Sequence, residues 1–371
     1  MRPFLNLAFL TVSIAIAAPG FTAVTVEPLA TPTPPNRLPI HVGGRVSPEP
    51  ATDSMLWRQW PGGYFVTEFR SDNAAFAIGP GDVILHVLVD GAPVTTLVKP
   101  KPGTYAVRGL RKGKHRLRIE IASESQAGPT AFAGFFADAG VKARAPKPRK
   151  RQIEFIGDSH TVGYGNTAAT RTCTSDEVWA TTDTSQAFAG LLGRRYKADY
   201  RVNAISGRGI VRNYDGTAAD TLPTAYPWLL FDKKTADDQK DWAPQLIVIA
   251  LGTNDFSTAL HPNEPWPDRA ALHAAYEERY VRFVQDLRAR NPQASFILWA
   301  TDAHGGEIAD EVRKVADRLH ALGETRLAFL PVTGLDFAAC HSHPSLADEA
   351  RIAELIRKAV SAQHGAWRRK K

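Results

Sequence analysis

The run Leu246-Ile247-Val248-Ile249-Ala250-Leu251 is apolar at every position. A strand with one wet face alternates polar and apolar residues, so a strand apolar throughout must be covered on both sides. This run therefore calls for a parallel sheet with helices above and below it. Gln152 to Gly157, Tyr200 to Ile205, Ser295 to Ala300 and Leu327 to Pro331 read as companion strands. Ser185 to Tyr196, Asp268 to Arg290, Gly305 to Leu322 and Ser345 to Gln363 read as helices between and after them. Strands alternating with helices predict a doubly wound α/β domain.

The first part of the chain has a different texture. From residue 39 to about 140 there is no long helical pattern. Short β runs recur instead, among them Gly63 to Phe69, Ala74 to Ile78, Val83 to Val89, Gly103 to Val107 and His115 to Ile121, with Asp90-Gly91 as a hairpin turn. Leu117, Ile119 and Ile121 alternate with polar residues, as a half-buried strand requires. The pattern predicts an antiparallel sandwich of about 100 residues. Residues 24–38 hold Thr31-Pro32-Thr33-Pro34-Pro35 and read as an extended linker.

Arg2 precedes an apolar run from Phe4 to Ala18, too short to cross a bilayer. Small residues follow, with Ala15-Ile16-Ala17 as a cleavage signal. Residues 1–23 are therefore expected to be a secretory signal peptide, with an uncleaved anchor as the alternative. No later stretch is apolar enough for membrane insertion. The predicted organisation is a signal peptide at 1–23, a linker at 24–38, a sandwich at 39–148 and an α/β domain at 149–366, in a secreted or periplasmic protein.

The formal net charge is +7. The excess collects in Lys142 to Arg151 and in Arg368-Arg369-Lys370-Lys371. Both read as a linker and a solvated end rather than a folded basic face. No nucleic-acid-binding motif accompanies them, so nucleic acid is not expected as a partner. Weak attraction to acidic polysaccharide or envelope surfaces fits the charge. Cys173 and Cys340 are the only cysteines. In an oxidising compartment they can form one disulfide; two free thiols are the alternative.

Four short segments can carry chemistry. Gly157-Asp158-Ser159-His160-Thr161 ends the strand that begins at Gln152, which puts a hydroxyl where open α/β sheets place their sites. A serine is a poor nucleophile until a base takes its proton. Cys340-His341-Ser342-His343-Pro344, just before the last helix, supplies a candidate general base in His343. The alternative there is a metal site, since Cys340, His341 and His343 are all ligand types, although no second cluster has ligand spacing. Gly252-Thr253-Asn254-Asp255 follows the apolar strand, so Asn254 can offer an amide to a developing oxyanion. Ser206-Gly207-Arg208-Gly209 can offer a backbone N–H from Gly207. Each segment alone also reads as an ordinary turn or helix cap. Their order along one sheet edge, Ser then Gly then Asn then His, sets them apart.

That order resembles the SGNH (GDSL-type) hydrolase superfamily, over residues 152 to about 363. Ile153 to Ser159, Val162-Gly163-Tyr164-Gly165-Asn166, Ser206 to Tyr214 and Gly252 to Phe256 resemble carbohydrate esterase family two more narrowly. The resemblance implies a flavodoxin-like parallel sheet preceded by a jelly-roll sandwich. It implies Ser159 as nucleophile and His343 as base, with Ser159 N–H, Gly207 N–H and the Asn254 amide as the oxyanion hole. It implies no metal and no cofactor, and an acetylated plant-wall polysaccharide or oligosaccharide, such as xylan or glucomannan, as substrate. The superfamily often places an acidic residue two or three positions before the histidine, where this chain has His341 and Cys340. The carbonyl of His341 or a close neighbour is expected to orient His343 instead, ahead of Asp336. The family can also place an aromatic directly before the histidine, where this chain has Ser342. Trp266 is the candidate replacement for sugar binding, with buried packing as its alternative. Trp57 and Trp60 read as core residues first and stacking residues second. The expected function is carbohydrate O-deacetylation. A general carboxylesterase or lipase and an inactive carbohydrate-binding protein are the rivals. No feature specifies an oligomeric state.

Overall fold

The computed structural model describes residues 23–30, 33–48, 55–238, 240–363 and 365–367. Apart from Ala23, the segment expected to be a signal peptide lies outside the described residues. The first unit contains β1 (Thr25–Pro28), β2 (Asn36–Leu38), β3 (His41–Gly43), β4 (Ser47–Pro48), β5 (Leu56–Arg58), β6 (Tyr64–Ser71), β7 (Ala74–Ile78), β8 (Ile84–Val89), β9 (Ala92–Val98), β10 (Gly103–Arg108), β11 (Gly113–Ile121), β12 (Thr130–Ala137) and β13 (Lys142–Arg144). They form two antiparallel sheets. One runs β1-β10-β7-β12-β5-β4, with β2 also on β12; the other runs β13-β6-β11-β8-β9, with β3 on β6. The alternation in β11 sorts the faces. Leu117, Ile119 and Ile121 join Phe65, Phe76 and Phe135 in the core between the sheets.

Two expectations are corrected here. Residues 24–38 are not a free linker, because β1 pairs with β10 and β2 with β12. Val24 and Val26 pack on the sandwich core and Leu38 is buried within it. The basic stretch after residue 141 is not all linker either, since β13 pairs with β6 in register Lys142↔Arg70 and Arg144↔Glu68.

The second unit has the parallel sheet β15-β14-β16-β17-β18. Its strands are β14 (Gln152–Gly157), β15 (Asp199–Ala204), β16 (Leu246–Ala250), β17 (Ser295–Thr301) and β18 (Leu327–Val332). Its helices are α1 (Ser159–Val162), α2 (Ser175–Thr181), α3 (Phe188–Tyr196), α4 (Leu222–Ala225), α5 (Thr253–Phe256), α6 (Arg269–Arg290), α7 (Glu307–Ala321) and α8 (Leu346–Ala362). Every residue of β16 and β17 is buried, as a strand covered on both faces must be. One apolar cluster lies under α6 and α7, and a second lies under α3 and α8. The Asp268 carboxylate caps α6 on Ala271 N, and Ser345 opens α8 in a capping box with Asp348.

The two units share buried surface. Tyr64 and Val66, on the outer face of β6, belong to the same apolar cluster as Tyr200 and Val202 of β15. The Tyr64 hydroxyl donates to Asp199 at 2.9 Å, and Trp60 Nε1 donates to the Trp228 carbonyl at 3.0 Å. Arg45 is buried and meets Asp237 at 3.0 Å. Among the described residues no helix is long and apolar enough to cross a membrane.

Candidate active site

The sheet order sets the site. β14 is flanked by β15 on one side and β16 on the other, so strand order reverses at β14, and a crevice opens at the carboxyl ends of strands around such a reversal. Ser159 leaves the end of β14 as the first residue of α1, Gly207 follows β15, and Asn254 follows β16. A cavity of about 650 Å³ lies over them; Ser159, Gly207, Asn254 and His343 all line it.

His343 comes from farther away, beyond β18 at the sheet edge. Three contacts hold its loop over the sheet. Cys173 and Cys340 form a disulfide with a Cα–Cα distance of 5.5 Å. His341 N donates to the Arg171 carbonyl at 2.7 Å. Asp348 accepts Asp336 N at 2.9 Å and Phe337 N at 3.0 Å, which ties the loop to α8. His341 (φ 53°) and Ser342 (φ 59°) both lie in the left-handed region, a conformation that costs a non-glycine residue about 1–3 kcal/mol. The turn they make brings the Cys340 carbonyl back to His343. Gly165 packs against the same loop at φ +58°, and a Cβ there would stand 2.5 Å from that of Cys340.

His343 Nε2 is 2.9 Å from Ser159 Oγ, and its Nδ1 is 3.0 Å from the Cys340 carbonyl oxygen. A carbonyl only accepts, so Nδ1 carries the hydrogen and Nε2 presents its lone pair to the serine hydroxyl. The orienting group is thus a backbone carbonyl three residues upstream. Asp336 is exposed, and its backbone, not its carboxylate, bonds to Asp348 and Arg171. Burial lowers the His343 pKa to about 4, against weaker upward pulls from the backbone of Cys340 and His341, so the ring is neutral at pH 7. Tyr164 lies against it, tilted by 31° with centroids 4.3 Å apart, and His160 meets it edge-on at 5.5 Å. Burial lowers His160 as well, to about 3, with charge repulsion between the His160 and His343 rings as the second cause.

The oxyanion donors surround the hydroxyl. Ser159 N–H, at the first helical position, has no intrahelical acceptor. Gly207 is at φ +81°, and among the described residues its N–H meets no hydrogen-bond acceptor. Its loop is held from both sides. Ser206 N donates to Glu124 of the sandwich at 2.8 Å. Asp255 accepts Val211 N and Arg212 N, each at 2.9 Å, and Ile210 N at 3.0 Å. Asn254 Nδ2 donates to the Arg208 carbonyl at 2.9 Å and to Asp158 Oδ2 at 3.2 Å. Both of its hydrogens are therefore engaged, and an oxyanion would compete with the longer contact. Burial pushes Asp158 up to about 7.

The metal alternative does not fit this geometry. Cys340 is in the disulfide. His341 Nδ1 meets the Tyr164 hydroxyl at 3.1 Å and its Nε2 meets the Cys173 carbonyl at 2.8 Å. Trp266 follows its packing alternative. It packs half-buried against the α/β core and does not line the cavity at Ser159. Trp60 is a buried core residue. The cavity wall instead includes Tyr164, Tyr214, His304, Phe337 and, from the sandwich, Gln126. The sequence reading assigned none of these a role. Tyr164 had the nearest signal, in its Gly163-Tyr164-Gly165 setting one turn after Ser159.

Residues 42–147 match the family described as carbohydrate esterase 2 N-terminal. Residues 155–363 match the GDSL-like lipase/acylhydrolase family. A Cellvibrio japonicus acetylxylan esterase/glucomannan deacetylase is 43% identical over 333 residues, covering 89% of this chain and 92% of its own. The cellulase/esterase CelE of Acetivibrio thermocellus is 29% identical over 322 residues, 82% of this chain and 37% of its own length. Among solved structures, a carbohydrate esterase whose active site displays divergent catalytic and non-catalytic binding functions aligns with TM-score 0.85 and 41% identity, over 90% of this chain and 100% of that one. An active-site mutant of a Clostridium thermocellum family two carbohydrate esterase in complex with a cellohexaose-type ligand aligns with TM-score 0.77 and 25% identity, over 87% and 98%. With both domain families matched in order and these relatives alongside, the chain belongs to carbohydrate esterase family two, a family of esterases that couples a β-sandwich to a GDSL-like hydrolase domain.

Proposed function

We propose that this esterase removes O-acetyl groups from plant-wall polysaccharide, acetylated xylan or glucomannan, through a Ser159–His343 dyad. The 2.9 Å contact between Ser159 Oγ and His343 Nε2, with Nδ1 held by a carbonyl, carries the reading. The substrate class is supported by the 43% identical deacetylase. Ser159 Oγ bonds to the acetyl carbonyl carbon while its proton passes to His343 Nε2. The resulting oxyanion is held by Ser159 N–H, Gly207 N–H and Asn254 Nδ2. As it collapses, His343 returns the proton to the departing sugar oxygen and the acetyl-enzyme remains. Water then attacks, gives a proton to His343, and acetate leaves as Ser159 regains its hydrogen. The protein works outside the cytoplasm, a reading supported by the N-terminal sequence and by the disulfide.

The test is acetate release from acetylated xylan and acetylated glucomannan, with and without chelator. Release by the unaltered protein is expected to resist chelator and to fall at least about 10⁴-fold in Ser159→Ala. Release that survives Ser159→Ala and stops with chelator would overturn the mechanism. Cleavage of an aryl acetate but of neither polymer would keep the nucleophile and move the substrate to the wider carboxylesterase class.

A further inference from the structure

The outer face of the second sandwich sheet carries a row of like charges. In register, Lys114 of β11 and Lys142 of β13 both lie opposite Arg70 of β6. All three residues are exposed. One step along the same face, Arg116 and Arg144 flank Glu68. Glu68 meets Arg144 at 2.8 Å and Arg116 at 3.6 Å. Among the described residues Arg70, Lys114 and Lys142 stand in no ion pair. A shallow depression of about 450 Å³ is lined by these five cations, with Glu68 and Asp90 as its carboxylates. Arg149 extends the positive field, since after burial it is the next largest cause lowering the Arg116 pKa.

Like charges directly opposite on neighbouring strands destabilise a sheet. Three such side chains on adjacent strands, about 4.8 Å apart, therefore hold a concentrated positive field that a bound anion would relieve. We propose that this face docks polysaccharide chains carrying uronate side groups, at a site apart from the catalytic cavity. Glu68 and Asp90 within the patch disfavour a densely charged phosphodiester chain. They tolerate a glycan with spaced carboxylates, and they offer acceptors to its hydroxyls. The patch has no exposed aromatic ring for base stacking, because Phe69 is buried. The choice of a glycan rests on the polysaccharide reading of the enzyme; the anion site rests on the charges alone.

Binding to glucuronoxylan, compared with the same polymer after reduction of its carboxyl groups, tests this. The full chain should bind the acidic polymer at low ionic strength at least tenfold more tightly than the reduced one. The difference should shrink as salt shortens the screening length. The triple variant R70Q/K114Q/K142Q should lose that preference while keeping aryl-acetate hydrolysis, with a melting temperature no lower than that of the unaltered protein. K114Q alone should lose part of it, and serves if the triple variant does not fold. Equal binding to both polymers, an unchanged preference in the variants, or duplex DNA bound as tightly as glucuronoxylan would each overturn the proposal. Because binding is read without turnover, failure of deacetylation leaves this comparison independent.

Discussion

His343 shows how far one side chain depends on its surroundings. Two rings confine it, a carbonyl fixes its tautomer, and burial keeps it uncharged. A base lowered to about 4 stays competent well below the range of an ordinary imidazole. The kcat/KM of an aryl acetate should therefore stay level into mildly acidic solution and fall on the acid side with a midpoint near 4; an acid-limb midpoint above 6 would contradict this. The same depression affects folding. The native state resists protonating His343, so this contribution to stability is complete above about 6.5 and is lost as pH falls through about 4. Asn254 has a separable role. Asn254→Ala should lower kcat by about 10²–10³-fold with a smaller change in KM, since an oxyanion donor acts mainly in the transition state. A purely structural role would instead appear as a lowered melting temperature with near-normal kcat.

At the scale of elements, the loops matter more than the helices and strands. The disulfide spans a sequence separation of 167 residues and anchors the residue whose carbonyl orients the base. Chain-entropy arguments give such a closure about 5 kcal/mol. Cys173→Ser should lower the melting temperature and reduce kcat more than KM, because His343 loses its tether; steady-state kinetics on an aryl acetate would check the split. The regular elements were legible because their patterns are local. The apolar run at β16 and the Asp268 and Ser345 caps mark their own boundaries within a residue or two. Ser159, Gly207, Asn254 and His343 were legible from their order after strands. For Trp266 the sequence left sugar binding and packing both open, because a Pro-flanked loop position does not fix where the ring goes; the ring packs half-buried on the core. β1, β2 and β13 were missed because proline and charge suggest solvent, yet each is an edge or short added strand with few residues to bury. Tyr214, Phe337 and Gln126 carry no local signal, and only tertiary folding brings them to the cavity.

In the whole molecule the two units are joined through buried polar groups as well as apolar ones. Arg45 of the sandwich side is buried against Asp237 at 3.0 Å and Glu154 at 3.7 Å. Its guanidinium lies over the rings of Tyr226 and Trp60. Removing one partner of such a pair strands the other, so Arg45→Ala should cost about 3–5 kcal/mol, read as a lower thermal midpoint. Glu124, another sandwich residue, grips Ser206 N beside Gly207, so part of the oxyanion pocket is anchored from across the boundary. Catalysis thereby becomes a gauge of docking. Warming that prises the units apart would silence the enzyme while each still holds its own secondary structure, and an inactivation curve lying below the circular-dichroism melt would record the parting of a joint rather than the loss of a fold.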